Sequence, residues 1–131
     1  MDNQETLEEE QTEDSLLPEV VFNACEKAKS SGYIPYWLIV NGYSFVYRPV
    51  NRKEWREFSR DQNRELMAAA DDSELHVEIK NQYTEKLVKE CLLYSEIPVD
   101  DTCGAGYVDT LFDAILVDSG FGQPDMASIR V

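Results

Sequence analysis

The stretch Val40 to Phe58, VNGYSFVYRPVNRKEWREF, decides the fold, because it reads as a strand end, a tight turn, a second strand and the capped start of an amphipathic helix. Asn41-Gly42 lies between the apolar runs YWLIV and YSFVY. This dipeptide supplies the two positive-φ positions of a two-residue type I′ turn. A turn of that length pairs Val40 with Tyr43, Leu38 with Phe45 and Tyr36 with Tyr47, and it places all six on one face. Arg48-Pro49 ends the second strand, since proline has no N–H to give a ladder. Asn51, with Glu54 three positions later, is the pattern of a helix N-cap answered by a carboxylate that reaches back to it.

Before the hairpin, Pro18-Glu19 opens a short helix with Val20, Val21, Ala24 and Ala28 on one face and Ser31-Gly32 as its stop. After it, Arg52 to about Ala70 forms an amphipathic helix with Trp55, Phe58, Gln62 and Leu66 near one face. Asp71-Asp72-Ser73 interrupts that helix and offers a new N-cap. Leu75, Ile79, Tyr83, Leu87 and Cys91 then recur every four residues, which predicts a helix running on through Leu92 and Leu93. Pro98, Asp100, Asp101, Gly104 and Gly106 mark a loop. Val108, Leu111, Phe112 and Ile115 define a last helix, ended by Ser119-Gly120 with Phe121 as its hydrophobic follow-on. The expected fold class is α+β: an N-terminal helix and β-hairpin followed by three helices packed on one hairpin face, all in one domain over 18–122. A flexible C-terminal tail is expected over 123–131.

Twelve basic against 26 acidic side chains give the 131-residue chain a net charge of −14. The pI of about 4.3 disfavours contact with nucleic-acid phosphates or anionic lipid and favours a basic or neutral protein partner. Residues 1 to 19 hold eight of the acids and no base, while the rest of the chain carries 12 bases and 18 acids. From 1 to 17 the composition is too polar to bury apolar area against chain entropy, so this segment is expected to be an acidic disordered leader. It serves either as a solubilising arm or as one that docks on a basic partner or masks a binding face. The acidic N-terminus excludes a secretory signal, and no run approaches the roughly 20 apolar residues that span a bilayer.

Chemistry-bearing motifs are weak. Cys25, Cys91 and Cys103 are odd in number and lack CxxC or Cys/His spacing, which argues against a disulfide framework or zinc site and for a reducing cytosol. His76 is the sole histidine and has no nucleophile motif beside it. Asp100-Asp101 lacks the alternating ligands of an EF-hand loop, and Gly104-Ala105-Gly106 lacks the Lys-Ser/Thr pair of a phosphate loop. No cofactor, no metal and no catalysis are expected.

Both ribbon faces are apolar, since Trp37, Ile39, Ser44 and Val46 lie opposite the first set, and an isolated two-stranded ribbon is marginal in water. One face is expected to meet the helices and the other a partner or a second copy of the chain. Aromatic side chains concentrate at interface hot spots. The candidate partner-binding residues are therefore Tyr36, Leu38, Phe45, Tyr47, Trp55, Tyr83 and Leu87.

At FVYRPVNRKEWREF, then EKLVKECLLYSEI, then a short apolar helix closing in SGF, the chain resembles the tail assembly chaperones of long-tailed bacteriophages. The resemblance covers roughly Tyr43 to Phe121. Arg48, Pro49, Asn51, Arg52, Glu54, Trp55, Cys91, Leu92, Leu93, Tyr94 and Glu96 occupy the positions of the family pattern. Asn51 stands where the family often has Thr, Ser95 where Pro is usual, and the acidic leader is not part of the pattern. The resemblance implies a non-enzymatic protein of the host cytoplasm that holds the helical tape measure protein, or another phage tail protein, while the tail tube polymerises. Members are often made in two lengths by ribosomal frameshifting. The rival readings are a minor virion structural protein of the tail or baseplate, and an acidic DNA mimic that inhibits a host enzyme.

Overall fold

Both turn residues take left-handed backbone angles, Asn41 at φ 53° and Gly42 at φ 85°. They join strands Tyr36–Val40 (β1) and Tyr43–Tyr47 (β2) in the expected register, with Tyr36 opposite Tyr47, Leu38 opposite Phe45 and Val40 opposite Tyr43. The computed structural model describes residues 18–121 and, as a short strand, 129–130. Among these the architecture is α+β. The remaining elements are helices Glu19–Ser30 (α1), Arg52–Ala68 (α2), Ser73–Cys91 (α3) and Tyr107–Leu116 (α4), strands Leu92–Ser95 (β3) and Ile129–Arg130 (β4), and a wide closing turn, Val117–Phe121. The antiparallel sheet runs β3-β2-β1-β4, with β4 opposite only Tyr36 and Trp37. The expected leader, 1–17, lies outside the described residues. Residues 129–130, expected in a loose tail, are instead a strand on the β1 edge.

Local signals account for most of the element ends. Asn51 and Glu54 form a complete capping box at the start of α2. Asp72 accepts the Leu75 N–H at 3.0 Å to start α3, and Gly32 and Gly120 leave α1 and the closing turn at φ 87° and 107°. The end of α3 departs from expectation. The helix stops at Cys91 and the chain turns extended at Leu92, with ψ 124°. Leu92–Ser95 then pairs with β2, so the apolar run read as more helix is a third strand. A register shift opposite Val46 and Tyr47 leaves Leu93 as an extra residue in β3, which lets Leu93 and its neighbour Tyr94 both pack on the same cluster.

The core is organised around β2. On one side Phe45 and Tyr47 enter a cluster with Val50, Leu87, Val88, Cys91, Leu111 and Ile115. On the other, Val46 meets Val21 and Cys25 of α1, with half-buried Trp37, Leu93 and Tyr94 around them. Each fully buried side chain of this size contributes roughly 1.5–3 kcal/mol by leaving water. The expectation of a second ribbon face left for a partner is corrected in part here: the buried stripe of Val21, Cys25 and Ala28 on α1 covers the β2 side of that face at Val46, while Ile39 of β1 on the same face stays exposed.

Candidate interaction surface

The strand-to-helix junction is held by Arg48, which is only 5% exposed. Its guanidinium donates to both carboxylate oxygens of Glu54, Nη1 to Oε1 at 3.1 Å and Nη2 to Oε2 at 3.0 Å, and it lies 4.6 Å from the ring centroid of Tyr33. Burial alone would lower the Arg48 pKa, but the Glu54 hydrogen bonds and nearby negative charge outweigh it and leave it raised. Burial likewise pushes Glu54 up, and the Arg48 hydrogen bonds, the Asn51 N–H and the Arg48 charge bring it below its usual value. The Arg48 backbone N–H donates to the Cys91 carbonyl at 3.0 Å. Ser44 and Glu96 exchange two bonds: the Ser44 N–H donates to Glu96 Oε1 at 2.8 Å, and the Glu96 N–H donates to the Ser44 carbonyl at 2.9 Å. From the closing turn, Ser119 Oγ accepts the Val50 N–H at 2.8 Å and Asp118 accepts the Tyr47 hydroxyl at 2.5 Å. RPVNRKEW and ECLLYSE, far apart in sequence, thus meet in one knot, joined directly by the Arg48–Cys91 backbone bond and flanked by the Arg48–Glu54 pair on one side and the Ser44–Glu96 bonds on the other.

Six of the seven expected contact residues lie in or against one core cluster, and Tyr83 meets Phe58 at its side, so they are gathered inside the fold rather than on a free face. Phe45, Tyr47, Tyr83 and Leu87 are buried, and Tyr36, Leu38 and Trp55 are half-buried. Side chains so placed offer a partner little or no area unless the fold opens. Tyr36 stacks on Tyr47 with centroids 5.9 Å apart. Trp55 lies between Phe58 at 5.3 Å and Phe121 at 4.9 Å, and Phe58 meets Tyr83 edge-on at 5.5 Å. The Tyr83 hydroxyl donates to the Glu65 carboxylate, and that bond, followed by burial, pushes the Tyr83 pKa up to about 12.

Accessible apolar area lies elsewhere. Helices α2 and α3 pack along each other as an arm, and with the described residues as neighbours no residue of α2 is fully buried. Near the turn of this arm, Met67 is 80% and Val77 59% exposed, with Leu75 also exposed. Ile39 and Tyr43 are exposed beside the hairpin turn. A cleft of about 250 Å³ between α2 and α3 is lined in part by Glu54, Glu57, Asp61 and Glu90, so one flank of the arm is anionic.

The opposite side of α2 is cationic. Arg52, Lys53, Arg56, Arg60 and Arg64 are all exposed, whereas Trp55, Phe58, Gln62 and Leu66 are half-buried. Four arginines four residues apart line up on one helical face. Among the described residues only Arg60 and Arg64 of this set reach an acid, Asp61 at 3.5 and 3.9 Å. Sequence reasoning overlooked this ridge, although its spacing was a sufficient signal; Met67 and Val77 gave none, because exposure within an arm depends on what else packs there. Comparison with family models, curated proteins and solved structures gave no match.

Proposed function

We propose that this chain is a non-catalytic phage tail assembly chaperone that shields the tape measure protein during tail morphogenesis. The observation that carries the reading is the knot at the strand-to-helix junction. The two separated segments on which the family resemblance rests are neighbours in the fold, joined by the Arg48 N–H bond to the Cys91 carbonyl and by the pairing of β3 with β2, which favours a shared scaffold over two chance likenesses. The contact surface is reassigned to the α2–α3 arm. Met67, Leu75 and Val77 are exposed apolar side chains near the turn of the arm, area that an apolar stripe of a tape measure helix would cover, and the net charge of −14 keeps the complex in solution.

The test is co-elution of the chain with fragments of a tape measure protein. Met67→Asp and Val77→Asp together are expected to abolish co-elution while circular dichroism stays unchanged, since exposed substitutions typically alter stability by within about 0.5 kcal/mol. Undiminished co-elution would remove the arm as the surface. Finding the chain in purified virions by mass spectrometry would instead support a permanent structural component.

A further inference from the structure

The arginine ridge of α2 is anomalous on a molecule with 26 acids and 12 bases, because five of those bases share one exposed helical side. Repulsion among cations spaced four apart disfavours the helix, so an anionic occupant would relieve a cost the isolated helix carries. The chain supplies one: residues 1–17 contain Asp2, Glu5, Glu8, Glu9, Glu10, Glu13 and Asp14 and no base.

Reach permits the contact. The ridge from Arg52 to Arg64 is about 18 Å long at 1.5 Å per residue, and α1 has about the same length. The Tyr33 ring, just past the end of α1, lies against Arg48, just before the start of α2, so a segment entering α1 at Pro18 starts about one helix length from the foot of the ridge. Seventeen extended residues span up to about 55–60 Å, more than both lengths together. Tethering within one chain raises the effective concentration of the segment at its own ridge, which favours that ridge over a second molecule's.

We propose that residues 1–17 dock on the Arg52–Arg56–Arg60–Arg64 face of α2 within the same molecule, as an electrostatic cover for the solvent side of the arm. The cover does not depend on the assembly role proposed above. Exposed charges interact within a Debye length, which shrinks from about 10 Å at 0.1 M salt to about 3 Å at 1 M, so the docking is released by salt.

The experiment uses the full chain carrying Cys103→Ser and a spin label on Gln4→Cys, with amide signals recorded by NMR; Cys25 and Cys91 are buried and escape the label. At low salt the amides of residues 52–67 are expected to lose intensity selectively, and to regain it at 1 M salt. Replacing the four arginines with Gln is expected to abolish the loss, as is the separate leader variant with Glu8, Glu9 and Glu10 changed to Lys. Replacing the four arginines with Lys, which keeps the charge, is expected to retain it. Unaffected α2 amides at low salt, loss that survives both charge variants, or loss that appears only between labelled and isotope-enriched molecules in a mixture would each overturn the proposal.

Discussion

Strand β2 and helix α2 are separated by four residues, yet they lie at opposite extremes of burial. Ser44 through Arg48 are buried one after another, without the in-and-out alternation of a strand that has one wet face, while α2 runs 17 residues without one that is fully buried. The difference is one of neighbours rather than of composition. β2 has a strand on each edge and a helix layer on each face, whereas α2 leans chiefly on α3. Stability is therefore concentrated in the sheet body, and the arm is free to present chemistry.

The contrast is tested most severely by truncating each element in turn. Phe45→Ala is expected to cost about 3–5 kcal/mol, the range for large-to-small changes in a packed core, whereas Arg60→Ala should stay within about 0.5 kcal/mol; urea midpoints measured side by side would show it. Comparable shifts for the two would break the division between body and arm.

The junction between the two elements should give an intermediate and pH-dependent effect. Glu54→Gln removes a charged partner from buried Arg48 and is expected to cost about 1–2 kcal/mol at pH 7, discounted because Glu54 is partly exposed. Because the folded state lowers the Glu54 pKa, its contribution is fully present above the usual carboxylate value of 4.5 and is lost as pH falls through the lower folded value. Stability curves of the wild type and Glu54→Gln should accordingly diverge above that value and converge in acid. Parallel curves down to pH 2 would mean that the pair does not hold the junction.

The smallest effect is expected in the turn of the arm, where Ala70 sits at φ 54°. A left-handed backbone is unfavourable for alanine and open to glycine, so Ala70→Gly should stabilise by up to about 1 kcal/mol, detectable as a rise in melting temperature. A fall would show that the arm is tuned as tightly as the body.

What could be read from the chain in advance follows the same division. The hairpin turn, its register, the capping box at Asn51 and Glu54 and the Asp72 cap are all set by side chains acting within a few residues, and each is found where its signal lies. Leu92–Ser95 escaped, because CLLY continues the apolar period of α3 and only pairing with β2 makes it extended. The proposed contact surface escaped for the complementary reason. Aromatic content marked Phe45 and Tyr47 as candidates, but whether such residues meet solvent was decided by the placement of α1 and α4, which no local pattern encodes. Met67 and Val77 are exposed because, among the described residues, α2 and α3 meet no third layer near their turn.

The return of the chain from β2 to β3 by way of a helical arm has a consequence for how this molecule can change. To the sheet, the arm is a loop whose two ends are pinned by the Arg48 bond to Cys91, and the entropy of closing a loop grows only with the logarithm of its length, about 0.6 kcal/mol for a full doubling of a flexible one. Insertions or deletions of whole helical turns in both limbs would therefore leave the ends in register, so that the reach of this protein is adjustable while its foundation stays fixed.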